Sequence, residues 1–205
     1  MSEQGVRHRY DSLYGKEGYH EGWEIVSKPV KRFLDTYANQ LVKGGKVLDL
    51  GAGQGRHTAE LARRGYDAYG IDVSAEGLNQ AQALLEKNNL SAHLTQGDFT
   101  KLPYKNDSFD AIINYATLQH VDEKGADKTF QEARRVLKRD GLFNFTAIAS
   151  PKKGGSRHYS PDEIKQLAQR HNFEILEIPE PDETTDEKFE NDVKRMQTVV
   201  LRKNL

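Results

Sequence analysis

The chain contains no cysteine, and that absence removes disulfides, thiolate metal sites and a cysteine nucleophile together. It also lacks any apolar run approaching the roughly 20 residues that span a bilayer. Its opening stretch, MSEQGVRHRYDSLYGKEGYHEGW, has no apolar core of the kind a signal peptide needs. A soluble, cytoplasmic protein is the expectation. Charge of one sign is missing too: 30 lysines and arginines face 31 acids, leaving a formal charge of −1. No global field therefore draws the molecule to nucleic acid or to an anionic membrane, and neither is expected as a partner. Internal repeats and low-complexity tracts are absent as well. The 205 residues suit a single domain spanning 1–205, with 1–42 forming an N-terminal lid and helix, in a monomer or homodimer.

What is present is an alternation of short apolar runs with helical periods, the pattern of a parallel sheet covered by helices on both faces. KVLDL (46–50) reads as the first strand, TAELARRG (58–65) as a short helix closed by Gly65, and DAYGIDV (67–73) as the second strand. Ser74 is placed to cap a helix over about 75–88 before HLTQGDF (93–99) returns to the sheet. FDAIINYA (109–116) is a fourth strand. The next helix sets Ala126, Phe130, Ala133 and Leu137 on one face and is expected to end at Asp140-Gly141, and LFNFTAIA (142–149) is strand five. In Ser160-Pro161-Asp162-Glu163 a capping box is combined with proline at the first helical position. FEILEI (173–178) and MQTVVLRK (196–203) supply the last strands, separated by the acidic PEPDETTDEKFEND, read as a solvated loop. Before residue 46 a helix is expected over about 27–41, with Val30, Phe33, Leu34, Tyr37 and Leu41 facing inward, preceded by Tyr10, Tyr14, Tyr19 and Trp23 among glycines and charges.

Function concentrates in VLDLGAGQGRHT, residues 47–58. Glycines 51, 53 and 55 allow a tight exit from a strand and let a ligand touch bare backbone. The dinucleotide pattern G-x-G-x-x-G fails, because Arg56 stands where the third glycine belongs, and the P-loop fails for want of Gly-Lys-Ser/Thr. Asp49, just before the loop, would repel a phosphate and attract a cation. Asp72 ends the second strand, where a carboxylate can accept both hydroxyls of a ribose. A nucleoside carrying positive charge and no phosphate satisfies both acids, and S-adenosylmethionine, with its sulfonium and ammonium, is such a molecule.

These segments resemble the class I S-adenosylmethionine-dependent methyltransferases. VLDLGAGQGRHT looks like their first motif and GIDVS their second, QGDFTKLPYKNDSFDAIINYATLQHV covers the third and fourth, and RVLKRDGLFNFT leads into strand five. The likeness spans residues 40–178, with a closing strand at 196–203, and there is some similarity to the tellurite-resistance branch. It implies a Rossmann-like seven-stranded, mostly parallel sheet of order 3-2-1-4-5-7-6, the last strand antiparallel, with the cofactor over the carboxyl ends of the first strands. It further implies that Gly51, Ala52 and Gly53 line the methionine and ribose, with Asp49 near the ammonium. Asp72 would hold the ribose hydroxyls and Val73 would lie against the adenine. Asp98 would meet the adenine amine beside Phe99, while Asn114 and Tyr115 face the methionine and the methyl. Asp98 as a turn former and Phe99 as plain core remain alternatives.

Methyl transfer from a sulfonium asks the protein mainly to align the acceptor and exclude water, so no strong catalytic signature is expected. Where the acceptor must lose a proton, His120, His158 and Tyr14 are the candidate bases by placement, with Tyr10 beside them. Tyr10 and Tyr14 belong to a segment that folds over the cofactor in similar enzymes, where their rings would attract a sulfonium. Surface or salt-bridge duties are expected of Arg56 and His57. No metal is implied. NYAT replaces the Asn-Pro-Pro-aromatic motif of base methylases, and GGSRH misses a nucleophile elbow by its last glycine. A small-molecule methyl acceptor is the expectation; the alternative is an S-adenosylmethionine-binding regulator or partner subunit that transfers nothing.

Overall fold

Period-two alternation along the central strands sorts their side chains into two cores. Leu48, Leu50, Ile112, Phe143 and Phe145 point to one face, and Val47, Ala111, Ile113 and Leu142 to the other. In the computed structural model, which describes residues 8–12, 14–15, 25–148, 157–178, 182–184 and 194–204, this pattern builds a layered α/β sandwich. The strands are β1 (Lys46–Leu50), β2 (Asp67–Asp72), β3 (His93–Gln96), β4 (Phe109–Asn114), β5 (Leu137–Ile148), β6 (Phe173–Glu177), β7 (Asp182–Thr184) and β8 (Lys194–Lys203). Their order is β3-β2-β1-β4-β5-β8-β6, which is 3-2-1-4-5-7-6 once the short β7 is set aside. β1 to β5 run parallel, and β8 lies antiparallel between β5 and β6.

Helices α1 (Lys28–Thr36), α2 (Arg56–Arg63), α3 (Ala75–Lys87), α4 (Glu123–Val136) and α5 (Pro161–Arg170) cover the sheet. Phe130 and Ala133 of α4, with Ile164 and Leu167 of α5, close the first core. Val30, Phe33 and Leu34 of α1, with Leu61 of α2, close the second, and Leu84 and Leu85 of α3 pack on Ala59 of α2.

Several boundaries differ from the sequence expectation for local reasons. α1 stops at Thr36, and Leu41 reaches the core through a turn in which the Gln40 and Leu41 N–H groups donate to the Tyr37 carbonyl. Gly55, left-handed at φ 82°, caps α2, so the helix opens at Arg56. α4 ends at Val136 because Leu137 already pairs with Phe109; the chain then bulges through Asp140 (φ 59°) before Leu142 pairs with Ala111. Part of the acidic stretch, expected as loop, is strand β7, paired with Lys194, Arg195 and Met196 of β8. Tyr19 and Trp23 lie outside the described residues. Among the described residues, no helix is long and apolar enough to cross a membrane.

Candidate functional site

The carboxyl ends of β1, β2 and β4 converge on the glycine loop. Gly51 and Ala52 donate their N–H groups to the Ile71 carbonyl at 2.8 and 3.1 Å, which folds the loop across the end of β2. Gly51, Gly53 and Gly55 all take positive φ (78°, 51° and 82°), the region that side chains strain to enter. At Gly55 a side chain would also come within 2.6 Å of the Ala81 Cβ, so that glycine serves the close approach of α2 to α3.

Asp72, 7% exposed, accepts from Gly53 N–H on one oxygen and Ser74 N–H on the other, both at 2.9 Å. Each oxygen retains a lone pair, so the carboxylate is oriented by backbone and still able to take two hydroxyls. Burial raises its pKa, opposed by those backbone donors. Asp49, 1% exposed, points from β1 toward α2 and accepts from the Thr58 hydroxyl at 2.8 Å. Desolvation pushes its pKa up to about 7, and the nearby Asp72 adds to the rise. A buried carboxylate held so weakly ionised is stabilised by an incoming cation. The residues present thus fit a ribose on one acid and a positive group near the other.

From the helical residues 8–12 and 14–15, Tyr14 reaches this loop. Tyr14 brings its hydroxyl so close to Gly53 that a side chain there would sit 2.6 Å from it. Burial and the charge of Asp72 raise the Tyr14 pKa beyond the ordinary tyrosine value, and burial pushes Tyr10 up to about 12. Tyr10 meets Tyr14 at 6.3 Å between ring centroids and the exposed His120 edge-on at 5.5 Å. The nominated Tyr10 and His120, far apart in the chain, are therefore neighbours.

His120 closes a single 3-10 turn, Leu118–His120, after β4. The segment after β5 is fastened to this turn, and the two make one rim: the Arg157 N–H donates to the Gln119 carbonyl at 3.0 Å and the Tyr159 hydroxyl to the Leu118 carbonyl at 3.0 Å. His158, half-buried between those anchors, belongs to the same rim.

The other nominated residues have these partners. The Asn114 amide donates to the Leu50 carbonyl at 3.1 Å and accepts from Leu118 N–H at 3.2 Å. It ties the mouth of β4 to β1. Phe99 is buried in the first core. Asp98 accepts from Thr100 N–H at 2.7 Å, forming the turn after β3. Val73, half-buried, receives the Gln96 amide on its carbonyl at 3.0 Å. Tyr115 packs edge-on against His57 at 5.0 Å and lies under the Arg56 guanidinium at 5.2 Å. The surface role expected of His57 is corrected: it is 5% exposed, its Nε2 meets the Ser27 hydroxyl at 3.0 Å, and desolvation lowers its pKa well below the ordinary value. It is a neutral spacer between α2 and the start of α1.

Sequence reasoning missed the Thr58 hydroxyl on Asp49, the Ser74 N–H on Asp72, and Asp11. The signal for Thr58 was present, since a buried carboxylate needs a donor within reach. For Asp11 no local pattern pointed to its partners, the Ser74 hydroxyl at 2.6 Å and Glu76 N–H at 3.3 Å. Among the described residues, no group of three or more histidines and acids is arranged to hold a metal ion.

Comparison with known proteins gives a family and a fold. Residues 47–141 match the methyltransferase domain family. The chain is 31% identical over 153 residues to the sarcosine/dimethylglycine N-methyltransferase of Aphanothece halophytica, covering 67% of this chain and 53% of that protein. It is 28% identical over 189 residues to the malonyl-[acyl-carrier protein] O-methyltransferase of Geobacter sulfurreducens, covering 80% and 69%. The chain spans about half the length of most curated relatives it matches. Among solved structures, the [4+2]-cyclase SpnF superposes with a TM-score of 0.79 at 21% identity, covering 100% of this chain and 97% of that one. TehB of Haemophilus influenzae gives 0.73 at 20% identity, covering 96% and 67%. At such identities these two show a shared fold alone. With the sheet order, the glycine loop and the domain match in agreement, the chain belongs to the class I S-adenosylmethionine-dependent methyltransferases.

Proposed function

We propose that the protein transfers a methyl group from S-adenosylmethionine to a small-molecule acceptor in the crevice bounded by the glycine loop, the 3-10 turn and the N-terminal segment. The observation that carries the reading is Asp72: a buried carboxylate, fixed by Gly53 and Ser74 N–H groups and facing bare backbone, retains acceptor capacity for a ribose diol. Gly51, Ala52 and Gly53 would line the methionine and ribose, Asp49 would sit near the ammonium, and Val73 with Asp98 would flank the adenine. Bound there, S-adenosylmethionine supplies an activated methyl. The chain's own work is to orient the acceptor, exclude water with Tyr10 and Tyr14, and take up any proton the acceptor releases.

For that proton His120 is the better candidate of the nominated three. Tyr14, raised by burial and by Asp72, stays a phenol at neutral pH and serves as ring and donor rather than base. His158 stands further along the rim. Asn114 and Tyr115 support the mouth of β4, on which the His120 turn is built. The relative acting on sarcosine and dimethylglycine favours a small acceptor, whereas the malonyl-[acyl-carrier protein] relative and the sterol 24-C-methyltransferase ERG6B of Gibberella zeae widen the range of acceptors seen among relatives.

A second reading is S-adenosylmethionine binding without methyl transfer, since the acids and glycine loop that would hold the cofactor do not by themselves set whether its methyl moves. Incubation with S-adenosylmethionine carrying a labelled methyl and a metabolite extract, read by mass spectrometry, separates the two. A labelled product that has gained one methyl supports transfer. Tight binding with no labelled product supports the second reading.

A further inference from the structure

The first turn of α3 holds a glycine its backbone does not need. Gly77 is the third helical residue after the Ser74 cap, is buried, and is absent from the positive-φ glycines. Glycine destabilises a helix relative to alanine, so its place here calls for a spatial reason. That reason lies against the N-terminal segment: a Cβ at Gly77 would come within 3.0 Å of the Tyr14 Cε2, 3.1 Å of its Cδ2 and 3.2 Å of the Gly53 carbonyl oxygen. The ring slots between two glycines, one on the cofactor loop and one on α3.

The same turn grips the segment by polar bonds. Asp11 accepts from the Ser74 hydroxyl at 2.6 Å and from Glu76 N–H at 3.3 Å, and Gln80 donates its amide to the Tyr14 carbonyl at 3.2 Å. The Ser74 hydroxyl meanwhile accepts from Gly77 N–H at 3.0 Å, and the Ser74 N–H donates to Asp72 at 2.9 Å. An unbroken chain of hydrogen bonds thus leads from the candidate ribose carboxylate through Ser74 to Asp11.

We infer that the first turn of α3 is a docking socket for the helical stretch of residues 8–12 and 14–15, with Gly77 as the notch for the Tyr14 ring and Asp11 as the latch. Both are positioning residues that hold Tyr14 against the glycine loop. The consequence for the cofactor rests on the S-adenosylmethionine reading above; the docking itself does not.

The experiment uses the full chain and two readouts: the rate of tryptic cleavage in the N-terminal segment without ligand, and the dissociation constant for S-adenosylmethionine by calorimetry. Gly77→Ala is expected to keep or raise Tm, speed N-terminal cleavage about tenfold, and raise the dissociation constant about tenfold. Asp11→Ala shifts both readouts in the same direction. In a Tyr14→Ala background, where the ring is gone, Gly77→Ala should add nothing to cleavage. Wild-type protection in Gly77→Ala overturns the socket. So does an undiminished effect in the Tyr14→Ala background, which would assign the glycine to the Gly53 carbonyl instead. Should the wild-type chain bind no S-adenosylmethionine, the cleavage rates still decide the socket, and only the cofactor reading falls.

Discussion

At the scale of the residue, burial raises the pKa of both aspartates of the site, most clearly at Asp49. Folded Asp49 keeps its proton to about pH 7, whereas an ordinary aspartate gives it up near 3.8. Between these values the native state binds more protons than the unfolded chain, so the contribution of Asp49 to stability is complete below the lower value and is lost as pH rises through 7. A cationic ligand reverses the preference. Binding of S-adenosylmethionine at pH 6 should release a proton from Asp49, and affinity should climb toward pH 7 before levelling. Calorimetry in buffers of different ionisation enthalpy measures the release, and Asp49→Asn should abolish it. Asp72→Ala removes the charge-assisted acceptor of a ribose diol and should weaken binding by about 1–3 kcal/mol; an unchanged dissociation constant would refute the assignment. Both acids were readable from the sequence because each ends an apolar run before a loop. Asp11 was not, since its partners lie 63 and 65 residues away.

At the scale of the element, what could be read were the ends that carry their own chemistry. The capping box of α5 has both of its bonds, Glu163 N–H to the Ser160 hydroxyl at 3.2 Å and Ser160 N–H to the Glu163 carboxylate at 2.8 Å. Ser160→Ala should cost about 1 kcal/mol and lower Tm by about 2–4 °C, as thermal unfolding followed by circular dichroism would show. The passage from α4 to β5 could not be read in the same way. Asp140-Gly141 looks like a helix stop, but Leu137 is claimed by Phe109 across the sheet, and the pairing turns that stop into a bulge. β7 has the same origin: an acidic segment with no apolar alternation becomes a strand because β8 offers it a partner.

At the scale of the whole molecule, the sheet order places the reversal of strand direction of travel beside β1, where open α/β sheets bind ligands. Asp49 before the loop and the missing third glycine select against a dinucleotide. S-adenosylmethionine should therefore raise Tm in proportion to the logarithm of its concentration above the dissociation constant, while a nicotinamide dinucleotide should leave Tm unmoved. A shift with the dinucleotide alone would contradict the electrostatic argument.

By itself the sequence determined the alternation of strands and helices, the two-sided burial of the sheet and the acids flanking the glycine loop, because each depends on periodicity or on neighbours within one turn. Only the tertiary structure decided that Tyr10 meets His120, that Asn114 braces the strand mouth, that His57 is buried and neutral, and that Tyr14 sits in a notch at Gly77. Those outcomes depend on distances between elements far apart in the chain, which hydrophobic pattern constrains to a face of the fold but not to a contact.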